Sequence, residues 1–169
     1  FFREISKRKT NKPKKIIIKG RNFVIQNYFE GLVRFDFNDL CGVSIGAEDY
    51  IKIAELCKFI LIDGVPNFND ENADKQQRFI TLIDILYEKK IPIMITANFN
   101  YKNFKSSRKL VNPYKRTISR LFELTSPKFK INWIKSSSLE KLYLVNRYVF
   151  FLDIVWLFHS YIDPFKKLN

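Results

Sequence analysis

Alternating and β-branched apolar residues mark the N-terminal part of the chain as β-structure. Two apolar runs, Ile16–Ile18 and Phe23–Ile25, lie on either side of Gly20 and predict a β-hairpin. Apolar and polar residues then alternate over residues 33–37, which is typical of a strand with one buried face. Residues 14–26 are therefore expected to form a β-hairpin and residues 33–37 a further strand.

The spacing of apolar residues becomes helical after residue 47. Tyr50, Ile53, Ala54 and Cys57 follow one another at i, i+3, i+4 and i+7 and predict one helix. A second helix is predicted as far as Glu88, because apolar residues recur with the same period after caps supplied by residues 69–72.

Two short apolar segments, residues 59–63 and 91–97, lie on either side of this second predicted helix. A strand, a helix and a strand within about forty residues form a βαβ unit, whose crossover implies parallel strands and a right-handed connection. Parallel strands are buried on both faces, so the pattern predicts an α/β fold and not an all-β domain.

The chain becomes polar and basic over residues 99–114, which predicts a loop. Apolar spacing from Ile118 to Thr125 then predicts a last helix, which Pro127 would end.

An aromatic and apolar tail follows at residues 142–165. Arg147, Asp153 and His159 interrupt it, and an ionised group at the centre of a bilayer costs about 3 kcal/mol. The pattern favours a segment that lies on a membrane surface or aggregates over one that spans a membrane.

Composition limits the chain to one domain with appendages, since it has 169 residues of which 46% are hydrophobic. The predicted divisions are a basic arm at residues 1–14, a domain at residues 15–127 and an unassigned basic and aromatic tail at residues 128–169. The start at Phe1, with no apolar signal segment after it, predicts a fragment or an internal start.

The net charge of +13 is unevenly distributed. Residues 22–98 have seven basic and twelve acidic side chains, whereas residues 1–21 have a net charge of +8 and residues 99–127 a net charge of +6. One hypothesis is therefore a non-enzymatic module that binds nucleic acid or an anionic membrane through residues 3–21 and 102–120. The alternative is an ordinary solvated surface.

Few residues are of the types that bind metals. Cys41 and Cys57 each lie in an apolar setting and are expected to be buried thiols, and His159 is the only histidine. No metal site is predicted.

Two polar residues follow the two central predicted strands, and they are the first candidates for chemistry. Asp63 and Asn98 lie where parallel strands present their carboxyl ends, the edge at which α/β sheets bind ligands. The alternative is that Asp63 begins a turn with Gly64. No glycine begins the pattern G-x-x-x-x-G-K-[ST] that binds phosphates, and Gly64 stands where hydrolases often have a second acid.

Arg116 and Arg120 are a second pair of candidates, because four residues separate them on one helix face. Such a pair could reach a phosphate that is bound by a neighbouring subunit, as arginine fingers do. The alternative is a surface ion pair between Arg120 and Glu123.

Four segments occur in an order and at a spacing that resemble a known family. They are FDFNDLCGVSIGAEDYIKIAE, FILIDGVP, RFITLIDILYE and KRTISRLFEL, and they fall within residues 15–127. Together they resemble the carboxyl-terminal half of the ZapE cell-division ATPases and their mitochondrial AFG-type relatives.

The resemblance implies part of a P-loop ATPase of the AAA type, with a parallel βαβ unit, an N-terminal hairpin and an irregular tail. It implies ATP and Mg²⁺ as ligands of the complete enzyme, whose phosphate-binding loop and main metal carboxylates precede the part present here, so this chain is expected to be inactive alone. It also implies a homo-oligomer, cell-division or inner-membrane partners, and a cytoplasmic location that includes the periphery of the bacterial inner membrane. Gly64, residues 76–78 and the tail depart from the family pattern.

Overall fold

The computed structural model describes residues 13–18, 21–97, 99 and 104–125. The predictions for the aromatic tail, for Pro127 and for most of the basic arm lie outside the described residues. The strands are β1 (Lys14–Ile18), β2 (Arg21–Ile25), β3 (Asn27–Phe29), β4 (Leu32–Asp36), β5 (Phe59–Val65) and β6 (Ile93–Ala97). The α-helices are α1 (Ala47–Glu55), α2 (Ala73–Glu88) and α3 (Val111–Leu124).

The predicted N-terminal hairpin is confirmed. β1 and β2 form a two-stranded antiparallel sheet in which Lys14 is opposite Ile25 and Ile18 is opposite Arg21. Ile18 and Ile25 are buried, whereas Ile17 and Val24 point outward, as the two-residue period of a strand requires.

A second sheet has the strand order β3, β4, β5 and β6. β5 and β6 are parallel, which confirms the predicted βαβ unit, and β4 also pairs with β5 in parallel. β3 pairs with β4 in an antiparallel hairpin. The sequence pattern missed β3, because three residues are too few to show a period.

The turn between β3 and β4 needs a glycine. Glu30 and Gly31 both have positive φ angles, 48° and 93°, as a two-residue hairpin turn of type I′ requires. A Cβ atom on Gly31 would lie 2.8 Å from Cγ of Lys58. The Gly31 carbonyl accepts hydrogen bonds from the N–H groups of Lys58 and Phe59, and so joins this turn to the start of β5.

The core lies between one face of the large sheet and the three helices. α2 contacts both α1 and α3, and its apolar residues are buried against the sheet. Three phenylalanine rings meet with centroids 5.8 to 5.9 Å apart: Phe37 directly after β4, Phe68 in the loop after β5, and Phe79 in α2. The helical spacing predicted for α1 is confirmed, since Tyr50, Ile53, Ala54 and Cys57 are all buried.

Two local predictions were wrong. The loop expected over residues 99–114 ends early, because a 3₁₀ turn at Arg108–Leu110 leads into α3 at Val111. Pro113 is tolerated there because the first turn of a helix does not need its N–H groups. β5 does not turn at Gly64 but runs on to Val65, with a register irregularity between Ile62 and Val65 and a φ of 72° at Gly64.

Tyr50 and Tyr114 are both buried, but their hydroxyl groups differ. The Tyr50 hydroxyl donates a 2.8 Å hydrogen bond to the carbonyl of Leu40, whereas the Tyr114 hydroxyl has no hydrogen-bond partner in the described part of the chain.

We therefore expect Tyr50→Phe to lower the free energy of unfolding by about 1–2 kcal/mol, because the Leu40 carbonyl loses its donor. Tyr114→Phe should leave stability unchanged or raise it, as measured by urea unfolding. A larger loss for Tyr114→Phe than for Tyr50→Phe would contradict this assignment.

Candidate strand-edge and arginine sites

Polar side chains from three parallel strands lie together at the carboxyl edge of the large sheet. Asp63 of β5 is opposite Asp36 of β4 in the parallel register, and Thr96 lies near the end of β6. Arg34 belongs to the same group, since it lies two residues before Asp36 on the same side of β4. This edge is the place where α/β sheets bind ligands.

Both carboxylate oxygens of Asp63 are engaged by neighbouring side chains. Nε of Arg34 donates to Oδ2 at 2.5 Å, and the Thr96 hydroxyl donates to Oδ1 at 3.1 Å. The N–H of Gly64 in turn donates to the Thr96 hydroxyl oxygen at 3.0 Å. Asp63 therefore joins three strands, and each of its carboxylate oxygens has a partner within the chain.

Sequence reasoning missed Arg34 as a residue of this site. Arg34 lies next to Asp63 because β4 pairs with β5. The polar position of Arg34 in an alternating strand was visible, but the pairing of β4 with β5 was not predicted. Asn98, the other strand-end candidate, lies outside the described residues.

The described residues do not fit a site for Mg²⁺ and ATP. Phosphate groups need a cluster of unpaired backbone N–H groups and a lysine, usually at the start of a helix. The most glycine-rich segment, Gly42–Gly46, leads into α1, but the Gly46 N–H donates to Oδ2 of Asp49 at 2.8 Å. A carboxylate of the chain itself already occupies this helix start and would repel a phosphate. Among the described residues, no group of three or more His, Cys, Asp or Glu side chains could hold a metal ion.

Arg116 and Arg120, the sequence-predicted arginines, meet on the carboxylate of Asp84 in α2. Nη2 of Arg116 donates to Oδ2 at 3.2 Å, and Nη1 of Arg120 donates to Oδ1. The guanidinium carbon of Arg120 also lies 4.9 Å from the centre of the Tyr87 ring. Arg120 pairs with Asp84 and not with Glu123, which accepts a 2.7 Å hydrogen bond from the Tyr87 hydroxyl.

The two arginines differ in exposure. The side chain of Arg120 is 24% exposed and that of Arg116 is 57% exposed. Arg120 therefore packs between α2 and α3, whereas Arg116 lies at the solvent side of the shared carboxylate.

The start of α3 is held by residues of the loop before α2 and of α2 itself. Asp70 accepts hydrogen bonds from the backbone N–H of Arg108 at 2.8 Å and from its Nε at 2.6 Å. Gln76 accepts from the N–H of Ser107 and donates to the Ser106 hydroxyl. These tertiary contacts replace the local cap that sequence reasoning would look for, which explains why the loop was predicted to be too long.

Ion pairs join the acidic middle of the chain to the basic segment that follows it. Arg108 pairs with Asp70, and Arg116 and Arg120 pair with Asp84. Every arginine of residues 104–120 is thus matched to a carboxylate from the middle of the chain. This arrangement uses the three arginines inside the domain and so does not favour a nucleic-acid-binding face on α3, although Lys105, Lys109 and Lys115 remain exposed.

Both cysteines are free and buried, as predicted. Burial raises the pKa of Cys41 and of Cys57 to about 12 in each case. The thiols therefore stay protonated near neutral pH and are poor nucleophiles. In the described ranges, no helix is long and apolar enough to cross a membrane.

The fold and the carboxyl edge of the sheet define the structural class of this protein. This is an α/β module with a short parallel sheet, whose carboxyl edge is closed by its own side chains. Comparison with family models then places the chain, because the model of the AFG1-like ATPase matches residues 1–131. The chain belongs to the AFG1-like ATPase family.

Individual relatives are similar over shorter segments. Lactation elevated protein 1 homolog B of Danio rerio is 28% identical over 100 residues, which are 58% of this chain and 20% of that protein. The cell division protein ZapE of Escherichia coli is 26% identical over 93 residues, which are 55% of this chain and 25% of that protein. The matched part therefore spans a quarter or less of the length of these relatives. No solved structure matches the chain significantly.

The exposure difference between the two arginines predicts different coupling energies with Asp84. In double-mutant cycles, we expect Asp84→Ala with Arg120→Met to give a coupling of about 1–2 kcal/mol, because this pair is largely shielded from water. The cycle of Asp84→Ala with Arg116→Met should give about 0.5 kcal/mol or less, as exposed pairs do. Free energies of unfolding in urea provide both values. Equal coupling energies would contradict this prediction, because both arginines would then stabilise the Asp84 carboxylate to the same extent.

Asp70 makes stability depend on pH in acid. The backbone N–H of Arg108 and then its guanidinium hold the pKa of Asp70 below its ordinary value of 3.8. A carboxyl whose pKa is lowered in the folded state stabilises the fold above its unfolded pKa. This contribution is lost as the pH falls below about 3.8 and through the lowered pKa.

We therefore expect Asp70→Asn to be less stable than the unaltered chain at neutral pH and nearly equal to it in strong acid. Urea unfolding across this pH range measures the difference. In an Arg108→Ala background the difference should shrink at neutral pH. A constant gap between the two proteins at every pH would refute the assignment.

Proposed function

We propose that this chain works within an ATPase of the AFG1-like family as a module that does not itself bind the nucleotide. The complete enzyme would hydrolyse ATP with Mg²⁺. The observation that carries this proposal is the engagement of Asp63, the strand-end carboxylate, by Arg34 and Thr96. The 169 residues also contain no G-x-x-x-x-G-K-[ST] segment.

The chemistry of phosphoryl transfer explains why a second component is needed. Catalysis depends on a backbone cradle and a lysine for the phosphates, and on a carboxylate free to hold the metal ion. Here the carboxylate of Asp63 is bound on both oxygens, and the helix start after Gly46 is capped by Asp49. We propose that the nucleotide site lies on polypeptide outside these 169 residues.

Arg116 is the residue of this module that we propose to act on the nucleotide, in trans. An arginine that stabilises transferring phosphate must be exposed and able to leave its resting partner. Arg116 is the more exposed of the two arginines, and Asp84 would keep Arg120 as its partner if Arg116 left. Arg120 would then be a positioning residue, which holds α3 against α2.

An arginine that acts in trans requires neighbouring subunits, so the proposal includes a homo-oligomer. Cell-division or inner-membrane partners and a cytoplasmic site of action belong to the same proposal. They rest on the family alone.

Nucleotide binding and turnover test the proposal directly. The chain alone should show no ATP hydrolysis and no thermal stabilisation by Mg²⁺ and ATP. Hydrolysis should appear when a family polypeptide that carries the phosphate-binding loop is added. In this mixture Arg116→Ala should lower kcat by about 100-fold or more, because arginine fingers contribute at least that much.

Lys115→Ala is the matched control, since it removes a neighbouring exposed cation from the same helix and should leave kcat nearly unchanged. Hydrolysis by the chain alone that is abolished by Asp63→Ala would overturn the proposal and make Asp63 a metal-binding residue. An equal loss of kcat in Lys115→Ala and Arg116→Ala would show that Arg116 contributes only as a surface charge.

A further inference from the structure

The most exposed of the large aliphatic side chains in the described part of the chain is that of Ile17 in β1, which is 75% exposed. Ile17 borders a concavity of about 210 Å³ between the hairpin and α1, which is also lined by Ile18, Ile51, Glu48 and Lys52. Pockets for small-molecule ligands usually have volumes of about 300 Å³ or more. The concavity is therefore sized for a single inserted side chain.

β1 is also an edge strand. Among the described residues β1 pairs only with β2, so its outer side has no strand partner there. Alternate residues of an edge strand direct their N–H and C=O groups outward, where an extended peptide can pair with them. The exposed apolar side chain and the open backbone edge lie on the same five residues.

The charges around this surface select the partner. Lys14 and Lys15 are exposed on β1, and Lys52 lies at the rim of the concavity, where it forms an exposed ion pair with Glu55 at 3.3 Å. Glu48 is the one acidic residue among those that line the concavity. The chain as a whole has a net charge of +13, which attracts acidic partners. An acidic partner is complementary both to this surface and to the whole chain.

We propose that β1 and the adjacent concavity form a docking site for an extended acidic segment of a partner protein. The segment adds as a strand to the outer edge of β1, and one branched aliphatic side chain of the segment enters the concavity beside Ile17 and Ile51. Acidic side chains on either side of it pair with Lys14 and Lys15. This site is separate from the arginines of α3, so its test is independent of ATP hydrolysis.

A synthetic peptide of alternating aspartate and isoleucine, labelled with a fluorophore, is the probe. Its binding to the full chain, followed by fluorescence anisotropy, should weaken at least about tenfold in Ile17→Gln, a change of about 1.4 kcal/mol. Ile17 is largely exposed, so this variant should fold normally. Val24→Gln is the matched control, because Val24 is an exposed β-branched residue of the same hairpin that does not line the concavity. It should bind the peptide nearly as the unaltered chain does.

Two altered peptides test the two parts of the mechanism. A peptide with a central proline cannot complete the backbone pairing, and one with lysine in place of aspartate reverses the charge; both should bind at least about tenfold more weakly. Equal binding of all three peptides, no binding of the acidic peptide, or unchanged binding by Ile17→Gln would overturn the proposal. So would a dimer in sedimentation equilibrium that Ile17→Gln dissociates, since that result would assign the surface to a second copy. An oligothymidine that displaces the peptide and loses affinity in Ile17→Gln would assign it to nucleic acid, and would overturn the proposal as well.

Discussion

The burial of β5 between two parallel neighbours is the constraint on which the rest of this structure depends. Residues 59–62 are almost fully buried, and β5 pairs with β4 on one side and β6 on the other. A parallel neighbour can be reached only through a crossover, so α1 and α2 must cover the sheet. The start of β5 is fixed by the Gly31 carbonyl, and its end by the contact between Asp63 and Thr96.

Electrostatic pairing between distant parts of the chain is the second organising interaction. The acidic middle and the basic segment after it are separate in sequence, but Asp70 and Asp84 bring them together at the two ends of α3. Asp70 fastens the start of α3, and Asp84 holds its later turns. Three arginines of the basic segment at residues 99–127 are therefore used in ion pairs inside the domain.

Contacts between distant parts of the chain also change the interpretation of the two candidate sites. A strand that ends in a carboxylate has the form of a metal site, but the neighbours of Asp63 use both of its oxygens. The arginine pair has the form of a catalytic pair, but one member is packed and the other exposed. In both cases the residue type suggested the chemistry, and the partners of the side chain decided how much of it was available. The outer edge of β1, which has no strand partner among the described residues, is the surface proposed to bind a partner segment.

The hairpin, α1, α2 and the parallel pairing of β5 with β6 could all be predicted from the sequence, because hydrophobic period and turn residues are local properties. The four segments that resemble the family could also be read there, and the family match over residues 1–131 confirms that reading. Tertiary structure alone placed β4 beside β5 and Arg34 on Asp63, began α3 at Val111 and joined both arginines to Asp84. Each of these features depends on residues about thirty or more positions apart, such as Arg34 and Asp63. A local pattern does not encode which of several distant carboxylates an arginine will meet, because the folded backbone sets that distance.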